Sequence, residues 1–258
     1  MSEFTEWLPS GWSVATLAAS ALAVLLAGVV RGLTGFGFSA LAVSSMALWL
    51  PPAQVVPPVL LLEVLASVWM LPAVWRDIHW NWMGWLVAGN VVGIPLGVLL
   101  LADGDPNLVK AAISAVVLVF AAALARHWRP PWRDGTLARM GTGLVSGVCN
   151  GLAAVGGLAA VVMLLSTAVA VAATRATLVG LFVFTDVYAL AVAAMHGLVG
   201  PPMLLATGWL LVPMLAGVAL GTHGYARIDA SRFRVIVIRV LIILALLGLT
   251  GAAWRALH

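Results

Sequence analysis

Four charged residues sit inside or at the edge of long apolar runs: Arg31, Glu63, Arg175 and Asp186. An ionisable group at membrane depth is costly, so each is a functional candidate unless a partner neutralises it. Arg31 and Arg175 have the chemistry to hold an anion. Each also has a plainer reading, snorkelling for Arg31 and a topology signal for Arg175. Glu63 and Asp186 occur at comparable places in the two halves of the chain. A carboxylate there can carry a coupled proton or pair with an arginine. Direct contact with an anion is disfavoured, because like charges repel.

Two glycine-bearing stretches lie among these charges. One is Arg31-Gly32-Leu33-Thr34-Gly35-Phe36-Gly37, and the other surrounds Asn150-Gly151 and continues to Gly156-Gly157. Both read as interruptions of a helix. Non-helical backbone inside a bilayer survives only where protein buries it or water reaches it. Short helices starting there would turn their partly positive N-terminal amides toward one central point, which suits an anion. The substrate-binding candidates are therefore Arg31, Thr34, Gly35, Gly37, Ser146, Asn150, Gly156, Gly157 and Arg175. Glu63 and Asp186 are the proton-coupling candidates. For any single glycine, close helix packing is an equal reading, and for any single Ser, Thr or Asn, interhelical bonding is the commoner one. Asn90, Ser39 and Thr185 join the same group of candidate oxyanion donors.

The elements that must position these residues are transmembrane helices. Of 258 residues, 63% are hydrophobic and 9% charged, and mean hydropathy is +1.11. A soluble domain carries about a quarter charged residues. Apolar runs of about 18–22 residues recur, each long enough to cross about 30 Å of hydrocarbon. The net charge is +4, but the basic residues cluster in loops and form no basic helix face, so nucleic-acid binding is not expected. One cysteine, Cys149, excludes an internal disulfide. The acidic start, Met1 to Glu6, lacks the positive region of a cleavable signal. There is no P-loop, HExxH, CxxC or GxSxG. Enzyme chemistry and cofactors are therefore not expected. Trp49, Trp75, Trp80, Trp82, Trp128, Trp132 and Trp254 fall near span ends, where indole favours the interface.

An internal repeat underlies the spans. Gly84-Trp85-Leu86 followed by Gly93, Leu96 and Gly97 matches Gly208-Trp209-Leu210 followed by Gly217, Leu220 and Gly221, at identical spacing. Gly28 and Gly32 likewise match Gly143 and Gly147. The expected fold is all-α and membrane-embedded. It has two inverted-topology repeats, each an interrupted, re-entrant helical hairpin plus three transmembrane helices. The N-terminal repeat covers 1–125, a basic cytoplasmic linker 126–139, and the C-terminal repeat 140–258. If each interrupted segment enters and returns, the Arg76 loop and the Arg227/Arg232/Arg234 loop fall inside with that linker. The loops without Lys or Arg fall outside, as do both termini. Lys110 and Arg255 are on the wrong side of this scheme.

At the two interrupted segments the chain resembles the sulfite exporter TauE/SafE family. Arg31 to Phe38 is similar to the family's first-helix motif. In the second half, Gly143-Leu144-Val145-Ser146-Gly147 leads to Gly156-Gly157 and then to Arg175-Ala176-Thr177-Leu178. Members commonly have Gly-Gly-Gly or Gly-Gly-Pro where this chain has Gly156-Gly157-Leu158. The resemblance implies a secondary carrier of the bacterial inner membrane for sulfite, sulfoacetate or another organosulfonate. An anion channel of the same fold, or an uptake carrier for another small organic anion, are the alternatives. Expected partners are the bilayer, a small anion and, in a homodimer, a second copy.

Overall fold

The computed structural model describes residues 9, 11–126, 128, 135–164, 171–224 and 230–257. Arg129, Trp132, Arg133 and Arg227 of the charge and tryptophan patterns lie outside them, as do Met1 to Glu6. Among the described residues there are ten α-helices. The first five are α1 (Val14–Thr34), α2 (Phe38–Met46), α3 (Pro52–Val74), α4 (Trp80–Asp103) and α5 (Pro106–Ala125). The second five are α6 (Thr136–Ala153), α7 (Gly156–Leu164), α8 (Val171–Met195), α9 (Pro201–Gly224) and α10 (Ala230–Leu257). The pattern long, short, long, long, long occurs twice. Seven of these helices are long and apolar enough to cross a membrane, so the chain is a multi-pass membrane protein. The exceptions are α2, α7 and α6. The nine residues of α2 and of α7 reach only about 14 Å, half of a bilayer core. In α6, Gly143, Ser146, Gly147, Asn150 and Gly151 dilute the apolar content.

Contacts fix the sense of several helices. Ser20, early in α1, accepts a hydrogen bond from Trp49 Nε1 at 3.2 Å, just ahead of α3. Arg31, late in α1, meets Glu63 and Ser67, midway along α3. So α1 and α3 run the same way, and α2 carries the chain back between them. In the same manner His79 and Tyr188 tie α4 to α8: the His79 amide donates to Thr177 Oγ1 (3.0 Å) and the Tyr188 hydroxyl to the Val91 carbonyl (3.3 Å). These two helices also run together.

Glycine decides the closest contacts. Gly89, Gly93 and Gly97 of α4 press on Gly143, Gly147 and Gly151 of α6. Gly28 and Gly32 of α1 press on Gly217 and Gly221 of α9. A Cβ added at any of them would run into the facing backbone, so both pairs are held by backbone-to-backbone packing in parallel register. Equivalent positions of the internal repeat thus have equivalent surroundings: Trp85 and Trp209 are equally exposed, and Gly84 and Gly208 both face open space.

Gly32, Gly147 and Gly151 are therefore packing residues inside continuous helices, not parts of a break. The second interruption also lies later than the sequence suggests. Asn150-Gly151 is helical, and α6 ends at Ala153. Trp82 departs from its expected interfacial role as well: it is 2% exposed, with the Arg139 guanidinium 4.5 Å from its ring centre.

Candidate functional site

The first break is built by three residues. Gly35 adopts φ +82°, a left-handed cap whose N–H donates to the Arg31 carbonyl at 2.7 Å. Thr34 shares its one hydroxyl proton between the carbonyls of Val30 (2.9 Å) and Phe36 (2.7 Å). Gly37, at φ +86°, opens α2. Left-handed backbone is nearly free for glycine and costs about 1–2 kcal/mol for other residues. The second break uses such a residue: Ala154, at φ 55°, donates its N–H to the Asn150 carbonyl at 2.7 Å. Ser146 Oγ then bonds the Gly156 carbonyl at 2.9 Å. A Cβ on Gly156 would strike the Ser146 carbonyl and the Asn150 side chain, so α7 starts tight against α6. The hydroxyls of Thr34 and Ser146 are thus committed to holding the breaks.

Between the breaks lies a buried charged cluster. Arg31 is fully buried and ion-paired through Nη1 to Glu63, which is 1% exposed. Its Nη2 donates to Ser67 Oγ at 2.6 Å. Ser39, at the start of α2, is buried near the same carboxylate. The Arg31 guanidinium lies 5.4 Å from the centre of the Phe182 ring, and that ring fills the space beside Gly157. On the other side of Phe182, Asp186 Oδ1 accepts from Asn150 Nδ2 at 2.8 Å, with the Thr185 hydroxyl 3.4 Å away. Asp186 lies within electrostatic reach of both Glu63 and Arg31. Burying Arg31 and Glu63 together is tolerable because each offsets the other's lost hydration.

Four polar atoms in this region are buried without a partner: Arg31 Nε, Arg175 Nε, Asp186 Oδ2 and Asn90 Oδ1. Arg175 comes from the first turns of α8 and lays its Cγ, Cδ and Nε where a Gly35 side chain would be. It thus caps the break contributed by the first half. The structure brings together Arg31, Gly35, Glu63, Asn150, Gly157, Asp186 and Arg175 around one interface. Phe182 was not legible as a site residue, because an aromatic ring in an apolar span carries no polar signal. A cavity of about 1100 Å³ lies elsewhere, between the end of α5, the start of α6 and the flank of α7. Its wall is largely apolar and includes none of the clustered charges.

A bundle of apolar helices with two interrupted elements and a buried charged cluster between them defines a polytopic membrane protein of the transporter class. The model of the family described as sulfite exporter TauE/SafE matches residues 20–247. The chain belongs to that family, whose members are membrane transporters of sulfite and related anions. Neither a curated protein nor a solved structure matches it significantly.

Proposed function

We propose that this chain is a secondary carrier for a small sulfur-containing anion, sulfite or an organosulfonate, in the bacterial inner membrane. The observation that carries the reading is Arg175: a half-buried side chain with a buried, unpartnered Nε, lying on the first helix break. In this reading Arg175 and the free first amides of α2 and α7 hold the anion. Arg31 spends both terminal nitrogens on Glu63 and Ser67 and acts by fixing α1 against α3. Asp186, with one carboxylate oxygen open, takes the coupled proton.

The inverted-repeat reading is supported by register. The α1/α3 pair runs one way. The α4, α6 and α8 group runs together, as the glycine contacts and the Thr177 and Tyr188 bonds indicate. Ala176 clusters near Leu71 and Val74 while Asp186 lies near Glu63, so α8 runs against α3. In this reading the Arg76 and Arg139 ends share the side that the charge rule makes cytoplasmic, and the start of α1 and the end of α10 face the periplasm.

The moving parts, however, are not the two halves. Backbone packing binds α4 to α6 and α1 to α9, so each tight pair takes one helix from each half. Alternating access then comes from rocking between an α1/α2/α3/α9 bundle and an α4/α6/α7/α8 bundle. Arg31, Gly35 and Glu63 belong to the first bundle, and Asn150, Arg175, Phe182 and Asp186 to the second. Their meeting plane is the α3/α8 contact. Flux of sulfite and of organosulfonates into proteoliposomes tests the carrier. Saturable flux, lost in Arg175→Ala without loss of folded protein, is the expected result. Flux that does not saturate would indicate a channel, and no flux of any of these anions would refute the assignment.

A further inference from the structure

Gly141 points away from the glycine seam that locks α6 to α4. A Cβ there would meet nothing within 4 Å, whereas one on Gly143 would strike the α4 backbone. The open space beside Gly141 is the 1100 Å³ cavity at the end of α5. Three helix faces line it: Val119 and Ala123 of α5, Gly141 and Val145 of α6, and Ala159 and Val162 of α7. Spacings of three or four residues put each pair on one face of its helix. Val119 is 63% exposed and Val145 49%, so the cavity opens on the outside of the bundle. In a bilayer that surrounding is hydrocarbon. The nine residues of α7 cannot cross the bilayer core, and beside them no helix among the described residues fills the space.

Charge sits at the mouth of this cavity. Arg126 lines it just past the end of α5 and is exposed, with no ion pair or side-chain hydrogen bond among the described residues. No carboxylate among those residues lines it. In sequence, Arg126 opens a stretch that adds Arg129 and Arg133 before one acid, Asp134. From Arg126 back to Val119 is about 10 Å along the α5 axis. The cavity thus joins a cation at the end of a span to an apolar wall that runs into hydrocarbon depth. Basic residues beside clefts between membrane helices suit the phosphates of anionic lipids. We propose that the cavity binds one anionic phospholipid, with an acyl chain against α5, α6 and α7 and the phosphate on Arg126. The volume would also admit a neutral drug-sized molecule, but such a ligand leaves the arginine unused. The site stands on these residues and not on the carrier reading.

Phosphatidylglycerol and phosphatidylcholine with matched acyl chains, titrated into the full chain in detergent and read by native mass spectrometry, test the proposal. The first phosphatidylglycerol should bind about fivefold more tightly than the first phosphatidylcholine, the usual effect of one arginine on an anionic lipid. Arg126→Gln should abolish that preference and leave phosphatidylcholine binding unchanged. Gly141→Leu should weaken both lipids, because the new side chain takes the space of the acyl chain. Leucine suits a helix better than glycine, so this variant should melt no lower than the parent. Arg126 is exposed, so its substitution tests the headgroup contact even if Gly141→Leu misfolds. Equal binding of the two lipids by the parent, or a preference that survives Arg126→Gln, overturns the proposal. So does lipid binding unchanged in a folded Gly141→Leu protein. The measurement reads occupancy, so a chain that transports no anion gives the same answer.

Discussion

Glu63 and Asp186 occupy corresponding places, each midway along the third helix of its half and each touched by the end of that half's first helix. Glu63 is met by Arg31 of α1, with Ser39 near the same carboxylate and Ser67 on the same guanidinium. Asp186 is met by Asn150 of α6 and by a distant Thr185 hydroxyl, and its Oδ2 has no partner. One acid is neutralised by a full opposite charge. The other has only neutral dipoles, and the nearest formal charges already face one another. Glu63 thus spends its carboxylate on an ion pair, whereas Asp186 keeps one oxygen open. In the proposed mechanism the same position is therefore structural in one half and available for chemistry in the other.

The sharpest way to break this comparison is to remove Arg31. Arg31→Ala strands Glu63 without its partner and should cost about 3–5 kcal/mol of stability, the usual penalty for a buried charge left alone. Thermal or denaturant unfolding in detergent reads the loss. The double variant Arg31→Met, Glu63→Gln removes both charges and should recover most of it. If the single substitution cost no more than an exposed arginine does, the pair would not be the brace described here.

The first break could be read from residues 31–37 because Gly35 and Gly37 sit at positive φ, where glycine alone is comfortable. The second could not be placed. Its left-handed residue is Ala154, which has no sequence signature, while Gly147 and Gly151 drew attention to a stretch that is helical. Those glycines recur every four residues, as do Gly89, Gly93 and Gly97, and that spacing signals packing more than breakage. The matching glycine and tryptophan spacings were visible in sequence, but which helix of one half locks against which helix of the other depends on tertiary contacts. So does the choice of Arg31 over Arg175 as the partner of Glu63, since both arginines stand near the same glycine.

The next effect concerns Asp186. Asp186→Asn keeps the shape, removes the charge and can still accept from Asn150. Stability should change by no more than about 1 kcal/mol, the net worth of a single hydrogen bond. Exchange of anion for anion across the vesicle should persist, while the response of flux to an imposed pH gradient should vanish. Glu63→Gln makes the reciprocal case: it leaves Arg31 uncompensated, so stability falls and no selective loss of the pH response is expected. Identical behaviour of the two variants would erase the distinction between the acids.

The smallest effect tests how Asp186 is held. The Thr185 hydroxyl already donates to the Leu181 carbonyl at 2.9 Å and lies 3.4 Å from Asp186 Oδ1. Thr185→Val removes the hydroxyl at nearly constant volume. Because one proton cannot serve both acceptors well, the helix carbonyl keeps the stronger bond, and the carboxylate loses only a weak dipole. Flux should therefore fall by about twofold or less and stability by under about 1 kcal/mol. Asn150→Leu, which removes the 2.8 Å donor, should impair the pH response clearly more than Thr185→Val does. The order of those two losses identifies the residue that poises the open acid: if Thr185→Val proved the more damaging, the hydroxyl would be turned toward Asp186, and the α6 amide would be a packing contact.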